Sequence, residues 1–213
     1  TFALGIEGQL TRDTDMLFVG ESESSCHPIN TASRVTDTVL RQLELARTQD
    51  RLSSKRVQVI FTPSGVASAI IPPLMAAFNG KMVMEGASPL VNRDGQEGFE
   101  RKFFLSDDPT LDYRPESRPA DDEGTPSHLT VLVEEGKVAS FIYDLQTAGL
   151  SGKKSTGNGG RNSVGSLSPA PSSFVISPGK TGFQEMVKDV KEGLVIEYLM
   201  GASQGNVLSG DFS

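Results

Sequence analysis

The run Leu129-Thr130-Val131-Leu132-Val133-Glu134-Glu135-Gly136-Lys137-Val138-Ala139-Ser140-Phe141-Ile142-Tyr143-Asp144-Leu145 decides the fold class. Residues 129–134 and 138–145 are rich in β-branched and aromatic side chains, and Glu135-Gly136 between them is a two-residue hairpin signal. The composition of residues 102–105 adds a third strand. An antiparallel sheet follows.

Around this sheet the spacing is helical. Thr62-Pro63 pairs an N-cap residue with a proline at the first helical position, and Ala67, Ile70, Ile71, Leu74, Met75 and Phe78 make residues 63–78 an apolar, buried helix. Pro72 and Pro73 each lack an N–H and clash with the carbonyl four residues back, which predicts a kink at 69–71. Asn79-Gly80 reads as a left-handed C-terminal stop. A short strand of Val57, Val59 and Phe61 precedes this helix. Near the C-terminus, Thr181-Gly182-Phe183-Gln184 resembles a capping box, Phe183, Met186, Val187 and Val190 trace a helical face, and 194–200 reads as a strand. In the first twenty residues Phe2, Leu4 and Ile6 alternate, as do Met16 and Phe18, with Thr11-Arg12-Asp13 turning between them. Val35, Val39, Leu43 and Ala46 then define an amphipathic helix, with Asn30 or Thr31 as its cap. Polar residues 48–55 read as a linker. The class is α+β, with long antiparallel strands.

Composition removes several functions. A net charge of -7 and a pI near 4.9 oppose binding to a phosphate backbone, which rests on clustered Lys and Arg. The most apolar run, 67–78, falls short of the ~20 residues that cross a bilayer. Neither nucleic acid nor membrane is an expected partner. A lone cysteine, Cys26, has no intrachain partner and fits a reducing cytoplasm.

Four phrases stand in order along the chain: Asp107-Asp108-Pro109-Thr110-Leu111, Asp121-Asp122-Glu123-Gly124-Thr125-Pro126, Ser155-Thr156-Gly157-Asn158-Gly159-Gly160-Arg161 and Val207-Leu208-Ser209-Gly210-Asp211-Phe212-Ser213. Together they resemble the TldD/PmbA family, in its PmbA (TldE) branch, from roughly residue 30 onward. The resemblance implies a barrel-like antiparallel sheet around a helix, further α/β sequence before this stretch and further strands after it. On that basis residues 1–54 are the end of a central segment and 55–213 the C-terminal domain, truncated at its end. It also implies a peptidase complex in the cytoplasm: a TldD-like metallopeptidase subunit as partner, or a second copy of this chain, with unstructured peptides as substrate.

In the TldD branch a His-Glu-x-x-x-His run on the helix after a strand like 57–61 binds zinc, and its Glu activates water. This chain has no such run, and the matching helix offers Ser64, Ser68 and apolar side chains. The resemblance therefore carries over no catalytic residue and no metal ligand, and zinc is expected only in the TldD-like partner. A non-catalytic subunit is the first reading. The residues expected to contact peptide are Ser155, Thr156, Gly157, Asn158 and Arg161, where backbone amides in left-handed or extended conformations can face a ligand backbone. The expectation includes strand addition of peptide near 155–161.

Other chemistry is less well founded. His27 and His128 are the only histidines, and neither has a ligand-spaced neighbour. Cys26 and His27 are adjacent, so on extended chain they point to opposite faces. Gly149-Leu150-Ser151-Gly152-Lys153-Lys154-Ser155-Thr156 departs from phosphate-loop spacing, with two residues between its glycines where four are needed. Asp107, Asp108, Asp121, Asp122 and Glu123 suggest an acidic metal cluster, but Asp-Asp-Pro and Asp-Glu-Gly are ordinary turn sequences. The alternatives to a subunit are a stand-alone hydrolase using Cys26 or a site completed by residues elsewhere, and a structural scaffold.

Overall fold

A computed structural model describes residues 1–13, 15–50 and 53–199. The chain divides into two compact units, residues 1–55 with 111–115, and 56–110 with 116–213.

The first unit is a long hairpin and one helix. Strands β1 (Phe2–Arg12) and β2 (Asp15–Ser25) pair antiparallel from Phe2↔Ser25 to Arg12↔Asp15. The turn therefore lies later than Thr11-Arg12-Asp13, and Asp13 takes the left-handed conformation (φ 50°). Leu4, Ile6, Gly8 and Leu10 face inward, but Met16 and Phe18 do not: they are 56% and 55% exposed, while Val19 points in. Helix α1 (Ser33–Leu45) covers the inner face with Val35 and Val39. It approaches so closely at Gly8 that an added Cβ would lie 3.0 Å from both Leu43 and Val39. Ala32 is its N-cap and contributes no side-chain bond; the Thr31 hydroxyl instead accepts from Ser33 N–H at 3.2 Å.

In the second unit β3 (Gln58–Phe61) leads into α2 (Pro63–Ala69). The Thr62 hydroxyl accepts from Gly65 N–H at 3.2 Å with Pro63 in the first turn. The helix breaks at Ile70 and resumes as α3 (Ile71–Ala77), because Pro72 and Pro73 cannot continue the hydrogen-bond ladder of α2. Its burial is partial: Ala69, Ala77 and Phe78 are enclosed, yet Met75 is exposed. Asn79-Gly80 starts a helix where the sequence predicts a stop. Asn79 Oδ1 accepts from Lys81 and Met82 N–H and caps α4 (Gly80–Met84), while its Nδ2 donates to Pro169 O at 2.9 Å. Glycine is required at 80 because any Cβ there would strike the Tyr143 ring.

The central sheet runs β6-β5-β4-β9, built from β4 (Leu105–Asp107), β5 (Thr130–Glu134), β6 (Lys137–Val138) and β9 (Phe174–Ile176), antiparallel throughout. Glu135 (φ 48°) and Gly136 (φ 76°) form the expected hairpin turn. The third strand starts at Leu105 rather than at 102. The strand expected over 138–145 ends at Val138: Ala139 N–H still donates to Leu132 O of β5 at 2.9 Å, but further on the backbone pairs elsewhere, Ile142 N–H donating to Phe78 O and Gly80 N–H to Ile142 O, at 2.9 and 2.8 Å. Helix α5 (Leu145–Leu150) follows, capped by Asp144. Strands β7 (Gly159–Arg161) and β8 (Leu167–Pro169) make a second hairpin. Helix α6 (Phe183–Asp189) has Gly182 as N-cap with no side-chain capping bond, so the capping box does not form, and it buries no residue. Strand β10 (Gly193–Ile196) pairs with β3 in parallel, not antiparallel, register. Met200, and with it the end of the expected 194–200 strand, lies outside the described residues.

The class is α+β, and the described strands close no barrel. The core gathers Phe78, Leu105, Leu132, Val133, Val138, Phe141 and Ile142 between the sheet and the α3–α4 turn. Phe78 stacks on Phe99 at 5.9 Å between ring centroids and lies tilted against Phe141 at 6.0 Å. This core anchors β4 through Leu105.

Candidate functional site

Three of the four sequence phrases converge in the second unit, and the fourth, Val207 to Ser213, lies outside the described residues. Asp107, at the end of β4, is fully buried. Its carboxylate accepts from Ser172 and Ser173 N–H at 2.9 and 2.7 Å, from the Ser172 hydroxyl at 3.0 Å and from Asn158 Nδ2 at 2.6 Å. Four donors replace the water that an ionised carboxylate loses on burial.

The acidic phrase at 121–123 does the same for β7. Asp121 accepts from Glu123 and Thr125 N–H in its own turn and, through Oδ2, from Gly159 N–H at 2.7 Å. Asp122 accepts from Arg161 N–H at 2.7 Å and donates its own N–H to Gly159 O. Glu123 reaches Leu145 N–H at the start of α5 at 2.8 Å. Turn chemistry is thus only half of what these residues do. They also occupy the outward N–H groups of β7, as a neighbouring strand would. A peptide adding to that edge at Gly159 and Arg161 meets donors that are already bonded, which is the physical obstacle to strand addition there.

The expected peptide-contacting residues divide by burial. Thr156 and Asn158 are 9% and 1% exposed. The Thr156 hydroxyl accepts from Tyr143 N–H at 2.8 Å, and Thr156 N–H donates to Tyr143 O. Gly157 takes φ 70°, and a Cβ there would lie 2.7 Å from Pro126 O, so both conformation and space demand glycine. Ser155 is half-buried, its hydroxyl accepting from Gly157 N–H at 3.2 Å. Arg161 is exposed and donates from Nη1 to Gly165 O in its own hairpin turn. The sequence reading missed Asp144, Ser172 and Ser173. Asp144 was findable, because an Asp three residues before Thr147, whose N–H it accepts at 2.6 Å, is an N-cap signal.

Lys153 is no phosphate-loop lysine. Its Nζ pairs with Asp94 at 3.0 Å, and that hydrogen bond raises its pKa above the ordinary 10.5. Burial raises the pKa of Tyr143 above 10.0, against the pull of Lys153. Cys26 is exposed, and the neighbouring His27 ring packs on Tyr113 at 4.2 Å.

Among the described residues no group of three or more His, Cys, Asp or Glu side chains is placed to hold a metal ion. Asp107, Asp121 and Asp144, the buried acids among the described residues, accept from N–H and O–H donors, which face a carboxylate and not a cation.

This architecture belongs with a peptidase family. The model of the PmbA/TldA metallopeptidase C-terminal domain matches residues 54–213, and the chain belongs to that family. It is 29% identical over 200 residues to an uncharacterized protein of Methanocaldococcus jannaschii, covering 93% of this chain and 47% of that one. It is 31% identical to the Metalloprotease TldD homolog of Haemophilus influenzae, covering 84% and 39%. The Metalloprotease PmbA homolog of the same organism is 26% identical, covering 98% and 43%. The chain thus spans less than half the length of these relatives. The fold matches that of TldE from Thermococcus kodakarensis with a TM-score of 0.81 at 24% identity, over 93% of this chain and 46% of that one. A Thermotoga maritima protein named for DNA gyrase modulation also superimposes with a TM-score of 0.81, at 22% identity, over 99% and 48%.

Proposed function

We propose that this chain is part of a PmbA/TldE-like, non-catalytic subunit of a TldD-type metallopeptidase complex that processes unstructured peptides in the cytoplasm. The observation that carries the reading is the helix pair α2–α3 after β3. Where the resemblance puts the zinc-binding helix of the catalytic branch, this family member has Ser64, Ser68 and apolar side chains. Zinc and the water-activating carboxylate come from the TldD-like partner.

Peptide contact, in this reading, falls on the exposed parts of the glycine-rich phrase, Ser155 and Arg161. Thr156, Gly157 and Asn158 act through the frame that presents them. No helix among the described residues is long and apolar enough to cross a membrane, in keeping with a subunit that meets its substrate in solution.

The test is reconstitution. The full-length protein is expressed alone and with a TldD homologue from the same genome, and each preparation is assayed for zinc by elemental analysis and for cleavage of an unstructured peptide. Zinc and cleavage are expected only in preparations containing the partner. Stoichiometric zinc together with cleavage by this protein alone would sink the proposal.

A further inference from the structure

We infer that a bound internal water molecule bridges Asn158 Oδ1 and Thr130 Oγ1 beside Asp107. The first support is the fixed orientation of the Asn158 amide. Nδ2 uses both its hydrogens, one to Asp107 Oδ2 at 2.6 Å and one to Ala170 O at 3.2 Å. Turning the amide over would set its oxygen against a carboxylate and a carbonyl, so the assignment is forced by the neighbours. Oδ1 therefore points the other way, in a residue only 1% exposed, and no described residue donates to it.

Thr130 is the second support. It lies directly across from Asp107 in the β4–β5 pair, so the two side chains share a face about 4.5–5.5 Å apart. Thr130 is 6% exposed, and its hydroxyl also has no partner among the described residues. A third orphan, the Ser127 hydroxyl, sits on the segment that packs against Gly157, next to Asn158.

The chemistry of these atoms selects the ligand. Asp107 already holds four donors, so the site asks for no cation, and those donors would repel one. Among the described residues, Asn158 Oδ1 lacks a donor and the Thr130 hydroxyl lacks a partner. Water supplies a donor to the first and accepts from, or donates to, the second. Buried polar atoms without protein partners are where ordered water is found in folded proteins. The water would complete the polar joint between β4, β5 and the glycine-rich phrase.

The experiment is a high-resolution crystal structure of the full-length protein, with Thr130→Ser and Thr130→Val alongside, and urea unfolding of all three. Density for a water within hydrogen-bond distance of both Asn158 Oδ1 and Thr130 Oγ1 is expected in wild type and in Thr130→Ser. In Thr130→Val the water should be lost and the unfolding equilibrium should shift about tenfold toward the unfolded state, since the Asn158 oxygen is left buried and unpaired. A dry site, a direct Thr130–Asn158 hydrogen bond, or another group of the full-length chain donating to Asn158 Oδ1 would overturn the inference. So would water density unchanged in Thr130→Val.

Discussion

At the scale of single residues, the centre of this protein is a carboxylate facing an amide. Asn158 is the one partner of Asp107 that holds β7 to β4 through side chains alone, at 2.6 Å. Replacing it with Asp sets two carboxylates against each other in a site closed to water. Asn158→Asp should lose about 3 kcal/mol at neutral pH, because it breaks a buried, charge-assisted contact. Part of that loss should return as pH falls through the carboxylate range and one of the pair takes up a proton. Urea unfolding at neutral and mildly acidic pH checks both statements. Lys153 and Tyr143 contribute on the alkaline side. Both have pKa values raised in the folded state, Lys153 by its bond to Asp94 and Tyr143 by burial. A raised folded value means that stability is fully present below the unfolded values of 10.5 and 10.0 and is lost as pH rises through the folded ones. Lys153→Met should remove the Lys153 share of this alkaline loss and leave the Tyr143 share, in a pH series of thermal midpoints. Alkylation of the exposed Cys26 thiol should leave stability and any partner-supported cleavage unchanged.

At the scale of elements, the same few residue types cap three short helices. Thr62 caps α2, Asn79 caps α4 and Asp144 caps α5. Short helices gain little from their own hydrogen bonds, so such caps decide whether they form. Thr62→Ala should cost about 1 kcal/mol. Asn79→Ala should cost more, because it also removes the bond to Pro169 that ties α4 to β8. Chemical denaturation of the two variants side by side gives the comparison, and equal losses would mean that the Pro169 bond contributes nothing. Legibility at this scale followed the range of the cause. The Thr62-Pro63 start, the break before Pro72 and the Glu135-Gly136 turn depend on neighbours in sequence, and each formed where the residues predict. The stop at Asn79-Gly80 and the strand beyond Val138 did not form. Their backbone groups pair with each other across the core, and no local pattern encodes that pairing.

At the scale of the whole molecule, Phe78 joins the α3–α4 turn to the central sheet, fully buried among Phe99, Phe141 and Leu132. Phe78→Ala should cost about 3–5 kcal/mol, seen as a lower thermal midpoint with loss of the 78–80 to 142 pairing in hydrogen exchange. By itself the sequence determined the α+β class, its net negative charge, the family resemblance carried by its phrases and the lack of a His-Glu-x-x-x-His run in this stretch. Those properties reside in residue identity and short spacing, which the chain carries whether folded or not. Only the tertiary structure decided what the phrases do. It brought Asp107, Asp121 and Asn158 together from segments far apart in the chain, used the carboxylates as partners for buried and edge N–H groups, and left Ser155 and Arg161 as the reachable part of the glycine-rich run. The reason is that a buried polar group must find its partner wherever the fold places one, and that place is set by packing over the entire unit.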